Sequence, residues 1–452
     1  MATFLVEILF VPSSSKLIVI LKFSYTYIVG FVKSFALCFQ RALMMRLVDL
    51  PSSVKVIMTK DIYDKARNYD LDRLNFNNFK DIYSKVFTMV ILLTSCFHRF
   101  WYWSIDLTKY FNLNPENEIL VGAICIFIIN AIYDITDLPL KIYDTFVVEQ
   151  KHGFNKETPL FFVKDQLLKF VVAQVTTVPL LCAMIWIIKN GGDYFFLYLW
   201  IFVIFVTIIM MILYPEFIAP LFDKYTPLPD GELKTKIEAL AASFNFPLYK
   251  LFIVEGSKRS SHSNAYLYGF HKYKRIVLFD TLVKEYYKPA EGETELKGCE
   301  TDEVLAVLTH ELGHWKYYHT LKGFVLVQVS FLINILLFAK LLDCKPIYEA
   351  FGFYDSQPTL IGLIIITTSL TRATCDGPHL FHVQNFKLPL TKFEFEADKF
   401  ARIQGHGKSL KTALIKLQKD NLCYPLYDKL YSGWHHTHPP LLERLEAIDK
   451  DD

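Results

Sequence analysis

The sequence predicts a predominantly α-helical integral membrane protein with soluble segments between its membrane helices, and three observations lead to this fold class. The chain of 452 residues is 52% hydrophobic and contains 39 Phe and 26 Tyr, more aromatic residues than a soluble domain needs. Its mean hydropathy is positive, at +0.26. Several apolar runs are long enough to cross a bilayer as helices.

Six apolar runs are predicted to be membrane helices, and the first five form an N-terminal membrane region over 1–214. The loops at 41–85 and 141–164 are rich in Lys and Arg, so the positive-inside rule predicts that they face the cytosol. Lys22 and Lys33 interrupt the first run, but their side chains can extend to the interfaces. The six runs are 17–39, 86–103, 119–133 with a continuation towards 140, 170–188, 194–214 and 324–342.

Charge and cysteine content narrow the possible functions. The net charge is +2, and no basic tract indicates nucleic-acid binding. The eight cysteines are scattered without paired spacing. We therefore expect small buried hydrophobic residues rather than a disulfide framework.

Residues 215–320 are predicted to form a soluble segment. A proline-punctuated linker over 219–229 comes first, followed by a helix over 232–244. Short runs of β-branched and aromatic residues predict strands at 250–255 and 275–279. A helix that includes 305–315 completes the segment.

That last helix carries the motif His310-Glu311-Leu-Gly-His314. Two histidines four residues apart lie on one helix face, so both can present a nitrogen to one metal ion, and Glu311 can take a proton from water. This is the HExxH pattern of zinc hydrolases. A surface helix with two solvated histidines is the alternative. The apolar turn before His310 disfavours it, because a buried His-Glu-His group needs partners.

A metal held by His310 and His314 needs a further protein ligand. If that ligand follows residue 342, the chain must cross the membrane again, and the only candidate is 358–370. This short run continues into a polar stretch containing Arg372 and Asp376, which is poor for a lipid-facing helix. Residues 321–382 are thus expected to hold the sixth helix and an atypical seventh, and 383–452 a C-terminal soluble segment.

The third ligand is predicted to be acidic, and Glu394 is the best candidate. Glu394 and Asp398 share a helix face, so Glu394 can bind the metal while Asp398 accepts a hydrogen bond from a ligand histidine. Glu396 would point away from both. The alternative is an ordinary charged amphipathic helix without a metal ligand. The presence of the HExxH motif in the same chain disfavours this alternative.

Three histidines near the C-terminus form a further cluster, at 435, 436 and 438. They could be a metal-binding tract. Alternatively, Pro439 and Pro440 hold His438 in extended backbone. A fixed imidazole of that kind would suit the oxyanion of a tetrahedral intermediate.

In the motifs described above and in further stretches, the chain resembles the type I CAAX prenyl endopeptidases. These are integral-membrane zinc proteases that include the animal prelamin A-processing enzyme. The resemblance covers nearly all of 60–448, and its long strings are far more specific than HExxH alone. The first forty residues match poorly, and 367–390 do not resemble the family's seventh helix. The matching strings are 149–155, 191–196, 219–229, 255–270, 275–282, 303–308, the HExxH motif, 351–362, 393–398 and 438–444.

The resemblance implies a role for each candidate site residue. The family's ligands for one zinc ion fall on His310, His314 and Glu394, and its catalytic glutamate falls on Glu311. The family's aspartate that supports a ligand histidine falls on Asp398, and its asparagine that binds substrate backbone falls on Asn264, in an edge strand. Its transition-state histidine falls on His438, and its buried arginine falls on Arg444.

The resemblance also implies an architecture, a substrate class and a location. Seven helices would surround a large chamber, with the protease domain and its small β-sheet on the cytosolic side. The substrates would be farnesylated CaaX proteins, which lose their last three residues, and some members make a second upstream cut. We expect a monomer in the endoplasmic reticulum membrane and the inner nuclear membrane. A membrane quality-control protease and a non-enzymatic scaffold with a decayed site are the alternatives.

Overall fold

The computed structural model describes residues 35–269, 272–287, 297–375, 383–436 and 438–450. The predicted first membrane helix, 17–39, lies almost entirely outside the described residues. Residues 35–46 are helical and are called α1 here. Five longer helices follow: α2 Lys60–Leu93, α3 Cys96–Tyr110, α4 Glu118–Tyr143, α5 Pro159–Asn190 and α6 Phe195–Leu213.

Four helices of the described part are long and apolar enough to cross a membrane, by length and composition. They contain the predicted third to sixth runs. Most of their side chains face outward, as expected where lipid rather than water surrounds an apolar helix. With their irregular extensions they span Glu118–Glu149, Pro159–Asn190, Gly192–Phe222 and His319–Leu341.

The predicted helix over 86–103 is wrong as a single element. The chain breaks between α2 and α3, where Ser95 takes a left-handed conformation with φ 50°. The Thr94 hydroxyl donates to the carbonyl of Val90 at 2.6 Å. Thr and Ser side chains compete in this way with helix hydrogen bonds, so the polar Thr94-Ser95 step ends α2 despite the apolar residues on both sides.

A four-stranded sheet forms in the first soluble segment, in the order β1-β2-β4-β3. The predicted strands at 250–255 and 275–279 are confirmed as β2 and β4, which pair in parallel. β1 and β3 pair antiparallel with the outer edges of β2 and β4. The predicted linker thus contains a strand. The strands are β1 Tyr225–Pro227, β2 Leu248–Val254, β3 Ala265–Tyr268 and β4 Lys274–Phe279, and the predicted helix before β2 is α7 Glu232–Ser243.

Eight α-helices complete the described chain. One face of the sheet packs with α7 against the apolar face of α8, where Ile276, Leu278, Val304 and Leu308 are buried in one core. The helices are α8 Thr301–Lys316, α9 His319–Leu341, α10 Lys345–Glu349, α11 Thr359–Cys375, α12 Val383–Ala401, α13 Gly407–Asp420, α14 Lys429–His435 and α15 Leu441–Asp449.

The predicted seventh crossing, 358–370, corresponds to α11. Its 17 residues rise by about 25 Å, slightly less than the hydrocarbon thickness of a bilayer. Glu118 at the start of α4 accepts a hydrogen bond from the backbone N–H of Thr359 at 2.6 Å. Buried Leu360 and Ile361 pack into the membrane-helix core. The first half of α11 is therefore covered by protein rather than by lipid.

Helices α8 and α12 approach each other closely at Gly313. A Cβ atom added to Gly313 would lie 3.1 Å from the Cα of Ala397 and 3.2 Å from the Phe400 side chain. The first of these contacts involves backbone, which cannot rotate away. A side chain at position 313 would therefore require the neighbouring backbone to move by a few tenths of an ångström.

We expect Gly313→Ala to destabilise the protein relative to Gly323→Ala. Both glycines lie in helices, so both changes bring a similar gain in helix propensity. A Cβ at Gly323 meets nothing within 4 Å, whereas overpacking at Gly313 should lower the free energy of unfolding by about 1–3 kcal/mol. Thermal unfolding of the two purified variants measures this difference. Equal stability of the two variants would contradict the close approach of α8 and α12.

Candidate metal centre

The two histidines of the HExxH motif lie on the face of α8 that is turned towards α12. A capping box begins the helix, in which the Glu303 side chain accepts a hydrogen bond from the backbone N–H of Glu300 at 2.8 Å. His310 is buried. The Nε2 atoms of His310 and His314 are 3.2 Å apart, so both rings direct the same nitrogen to one point.

Glu394 of α12 brings a carboxylate to that point. Its Oε1 lies 3.3 Å from His314 Nε2, and its Oε2 lies 3.6 Å from His310 Nε2. A tetrahedral metal with bonds of 2.0–2.1 Å needs donor atoms about 3.3 Å apart. The donor separations and the buried Oε2 of Glu394, which lacks a well-directed hydrogen bond, therefore fit a metal ion.

The described residues contain one group of three or more ligand-type side chains that could hold a metal ion, formed by His310, His314 and Glu394. The C-terminal histidines at 435, 436 and 438 are not part of such a group. The rings of His435 and His436 pack against Tyr431 and Tyr427. The structure therefore does not support the alternative of a C-terminal metal tract.

Asp398 and Arg444 support the rear of the His310 ring. Asp398 Oδ1 lies 2.8 Å from His310 Nδ1, as predicted from the helix spacing. Arg444 donates Nε and Nη2 to the two oxygens of Asp398 at 2.8 and 2.7 Å. Burial alone would raise the pKa of Asp398, but the hydrogen bonds from Arg444 and His310 outweigh burial and lower it. Asp398 is therefore an anion that fixes the His310 ring.

Three neighbouring histidines also keep Glu394 ionised. Burial would raise the pKa of Glu394, but interactions with His310, His314 and His438 hold it well below its usual value. His438 Nδ1 lies 2.7 Å from Glu394 Oε2. Burial would lower the pKa of His310, but Asp398 and Glu394 raise it to about 9.

Six of the eight predicted site residues line one cavity of about 150 Å³. This volume has room for a few water molecules. The cavity also reaches the sheet edge, because Asn264 directly precedes the edge strand β3. The six residues are Asn264, His310, Glu311, Glu394, His438 and Arg444.

Asn264 lies one residue before β3 rather than within it. Its side-chain oxygen accepts a hydrogen bond from the backbone N–H of Ala265 at 2.8 Å. Its carbonyl accepts one from the N–H of Phe279 at the end of β4 at 3.1 Å. The sheet thus fixes the backbone of Asn264.

The sequence analysis missed Asn421, which lines the same cavity. Its side-chain oxygen accepts a hydrogen bond from the backbone N–H of Ser263 at 3.0 Å and lies 3.3 Å from His262 Nδ1. Asn421 therefore supports the loop that carries Asn264. The only local signal in the sequence is a polar residue after the last helical turn of α13.

The sequence analysis did not consider His319 and gave no role to Glu396. His319 lies behind His314, with the two Nδ1 atoms 3.0 Å apart. Glu396 points away from Glu394, as predicted, and its carboxylate lies 2.9 Å from His319 Nε2. The sequence signal is weak, because it consists of one histidine after the motif and one acidic residue two positions after Glu394.

Two histidines and a carboxylate at metal-ligand spacing, a glutamate in the adjoining cavity and a nearby sheet edge are the features of a metallopeptidase. The family model described as the CAAX prenyl protease N-terminal region, with five membrane helices, matches residues 40–224. The model of peptidase family M48 matches 227–452.

Proteins of the same family are similar along most of the chain. The CAAX prenyl protease 1 homologues of Mus musculus and Homo sapiens are each 44% identical over 435 residues, covering 90% of this chain and 90% of the relative. CAAX prenyl protease 1 of Saccharomyces cerevisiae is 33% identical and covers 88% of both chains. The chain belongs to this family of M48 metalloproteases, and the resemblance seen in the sequence is confirmed.

A solved structure agrees with the fold. The crystal structure of S. mikatae Ste24p superposes with a TM-score of 0.80 at 32% identity, covering 94% of this chain and 99% of that one. This likeness confirms the predicted fold class, a predominantly helical membrane protein with a small β-sheet. The protein is thus a multi-pass membrane protein of a metalloprotease family.

We expect Arg444→Met to lower the free energy of unfolding by about 3–5 kcal/mol, because it leaves the buried Asp398 carboxylate without its cation. Adding Asp398→Asn to this variant should recover part of the loss, since the uncompensated charge is then removed. Thermal unfolding of both variants without added metal measures the effect. An Arg444→Met protein that melts like the parent would contradict the assigned ion pair.

Proposed function

We propose that the protein is a zinc-dependent endopeptidase that removes the C-terminal tripeptide from farnesylated CaaX proteins. We also propose that it makes a second, upstream cut in prelamin A-like substrates. One observation carries the catalytic part of the proposal: three donor atoms have the spacing of tetrahedral metal ligands, and two of the residues that supply them, His310 and Glu394, line one cavity with Glu311. The names of the relatives support the substrate class.

In this proposal His310, His314 and Glu394 bind the zinc ion. Two nitrogens and one oxygen leave one position of a tetrahedral ion open, the arrangement of catalytic rather than structural zinc. When bound, zinc supplies Lewis-acid polarisation of the scissile carbonyl and lowers the pKa of water. Asp398 keeps the His310 ring in place because it holds the second ring nitrogen, and Arg444 in turn holds Asp398.

Glu311 acts as the general base and then as the general acid. It takes a proton from the attacking water and delivers it to the leaving amine. Glu311, one residue after His310 on α8, lines the same cavity as His310 and Glu394.

His438 and Asn264 act on the peptide. The substrate would add as a further strand beside β3, whose outer edge is unpaired among the described strands. Asn264, at the start of that edge, would bind the peptide backbone. His438 would donate to the developing oxyanion from its extended backbone before Pro439. Its side chain is 63% exposed, so it can reach the substrate.

We propose that residues 215–320 and 383–452 form the protease segments on the cytosolic side. The membrane parts are then 1–214 and 321–382. Basic residues in the loops 41–85 and 141–164 support this orientation. We further propose a monomer in the endoplasmic reticulum membrane and the inner nuclear membrane, where farnesylated substrates would enter from the bilayer.

We expect Glu311→Ala, and its isosteric counterpart Glu311→Gln, to abolish cleavage of a farnesylated CaaX peptide. The fall in kcat should be at least about 100-fold, since proton transfer is lost. Zinc content should remain one per chain, because Glu311 is not a ligand. Peptide cleavage and metal analysis on the same sample measure both. Normal turnover by either variant would refute the role of Glu311.

Substrate class is tested with two peptides that differ only in a farnesyl group on the CaaX cysteine. Burying even a few farnesyl carbons, at about 0.8 kcal/mol each, should give the prenylated peptide at least a tenfold higher kcat/KM. The measurement is cleavage by the full-length protein in lipid or detergent. Equal rates on both peptides would favour the quality-control protease instead.

A further inference from the structure

A short break in the chain brings His319 beneath the candidate metal centre. Helix α8 ends after Lys316, and Tyr318 takes a left-handed conformation with φ 56°. His319 is the first residue of α9, a helix that could span the membrane. The reversal places its side chain against His314, where it is 3% exposed.

Two close contacts join His314, His319 and Glu396 in a row. His314 Nδ1 lies 3.0 Å from His319 Nδ1. On the other side of the ring, His319 Nε2 lies 2.9 Å from Glu396 Oε2. The ring of Phe393 stacks on His319 with centroids 4.1 Å apart and an angle of 11° between the planes. Both nitrogens of this buried ring are therefore engaged, and its plane is fixed.

The proton positions in this row follow from the metal site of the proposed function, on which this step rests. A neutral imidazole that binds metal through Nε2 carries its proton on Nδ1. His314 must then donate from Nδ1, and His319 must accept at Nδ1. The His319 proton is consequently on Nε2, from which it donates to the Glu396 carboxylate. Every donor in the row faces an acceptor.

We propose that His319 and Glu396 are positioning residues that orient His314 for metal binding. The two ligand histidines are then supported differently. His310 is held directly by the carboxylate of Asp398. His314 is held by the carboxylate of Glu396 through the intervening His319 ring. Partners of this kind fix the ring orientation and raise the basicity of a histidine ligand.

This arrangement also connects the metal centre to the membrane. Helix α12 supplies Glu394 to the metal and Glu396 to His319, and α9 supplies His319 from the first residue of a membrane helix. The geometry of His314 therefore depends on how α9 leaves the end of α8.

Two substitutions of His319 separate positioning from packing. His319→Phe keeps a flat ring for stacking on Phe393 but has no acceptor for the His314 proton. His319→Asn loses the ring but retains an amide oxygen close to the original Nδ1. We expect His319→Phe to weaken zinc affinity by about 10–100-fold and His319→Asn by less than about tenfold. Competition of the full-length protein with a chromophoric zinc chelator measures both.

A second pair tests the other end of the row. Glu396→Gln retains an oxygen that accepts from His319 Nε2, whereas Glu396→Leu does not. We expect Glu396→Leu to weaken zinc binding more than Glu396→Gln. Thermal unfolding of the metal-free variants shows whether a loss of zinc affinity reflects general destabilisation. If the His319 ring only packs, His319→Asn should be destabilised more than His319→Phe.

The outcomes distinguish this inference from the proposed function. The positioning role would be overturned if His319→Phe bound zinc with the parent's affinity. It would also be overturned if His319→Asn lost at least as much zinc affinity as His319→Phe. The proposed metal site would remain if His310→Ala and Glu394→Ala abolish binding. If the parent binds no stoichiometric zinc, or if those two variants bind it normally, the proposed function fails instead.

Discussion

The close approach of α8 and α12 is the constraint on which the candidate metal centre depends. The donors of α8 and the carboxylate of α12 are separated by about eighty residues that include a membrane helix and α11. They meet because Gly313 allows the backbone of α12 to pass at van der Waals distance. Close packing in protein interiors leaves little room for adjustment, so small changes in this separation would alter the positions of all three donors.

The same approach explains why so many charged groups are buried in one place. Glu394, Asp398 and Arg444 are all buried, which costs free energy unless each charge has a partner. The bidentate contact of Arg444 with Asp398 and the three histidines around Glu394 provide those partners. The His310 ring is therefore held by the Asp398 carboxylate, whose charge is compensated by Arg444. This support makes a preorganised site, which a metalloprotease needs at its metal.

Much of the site could be predicted from the sequence because its signals are local. The spacing of His310 and His314, and of Glu394 and Asp398, places each pair on one helix face without knowledge of the fold. The apolar runs identified four of the membrane helices, and β-branched residues identified β2 and β4. The small strands β1 and β3 were harder to identify, because pairing with their neighbours rather than composition makes them strands.

The remaining features depend on contacts that no local pattern contains. His319 reaches His314 only because the chain reverses at Tyr318, and it reaches Glu396 only because a helix 77 residues away packs beside it. Asn421 supports the Asn264 loop from 158 residues away. The break at Thr94-Ser95 was missed for a different reason, since the hydrophobic pattern continues across it and only two hydroxyl side chains mark the end of α2.

X-ray absorption spectroscopy at the zinc edge of the purified, zinc-loaded protein tests the central claim most directly. The arrangement of His310, His314 and Glu394 predicts two imidazole nitrogens and one or two oxygens at about 2.0–2.2 Å, with no sulfur. The imidazole contribution should disappear in a variant that carries both His310→Ala and His314→Ala. A sulfur shell near about 2.3 Å, or a spectrum unchanged by the loss of both histidines, would show that the metal binds elsewhere.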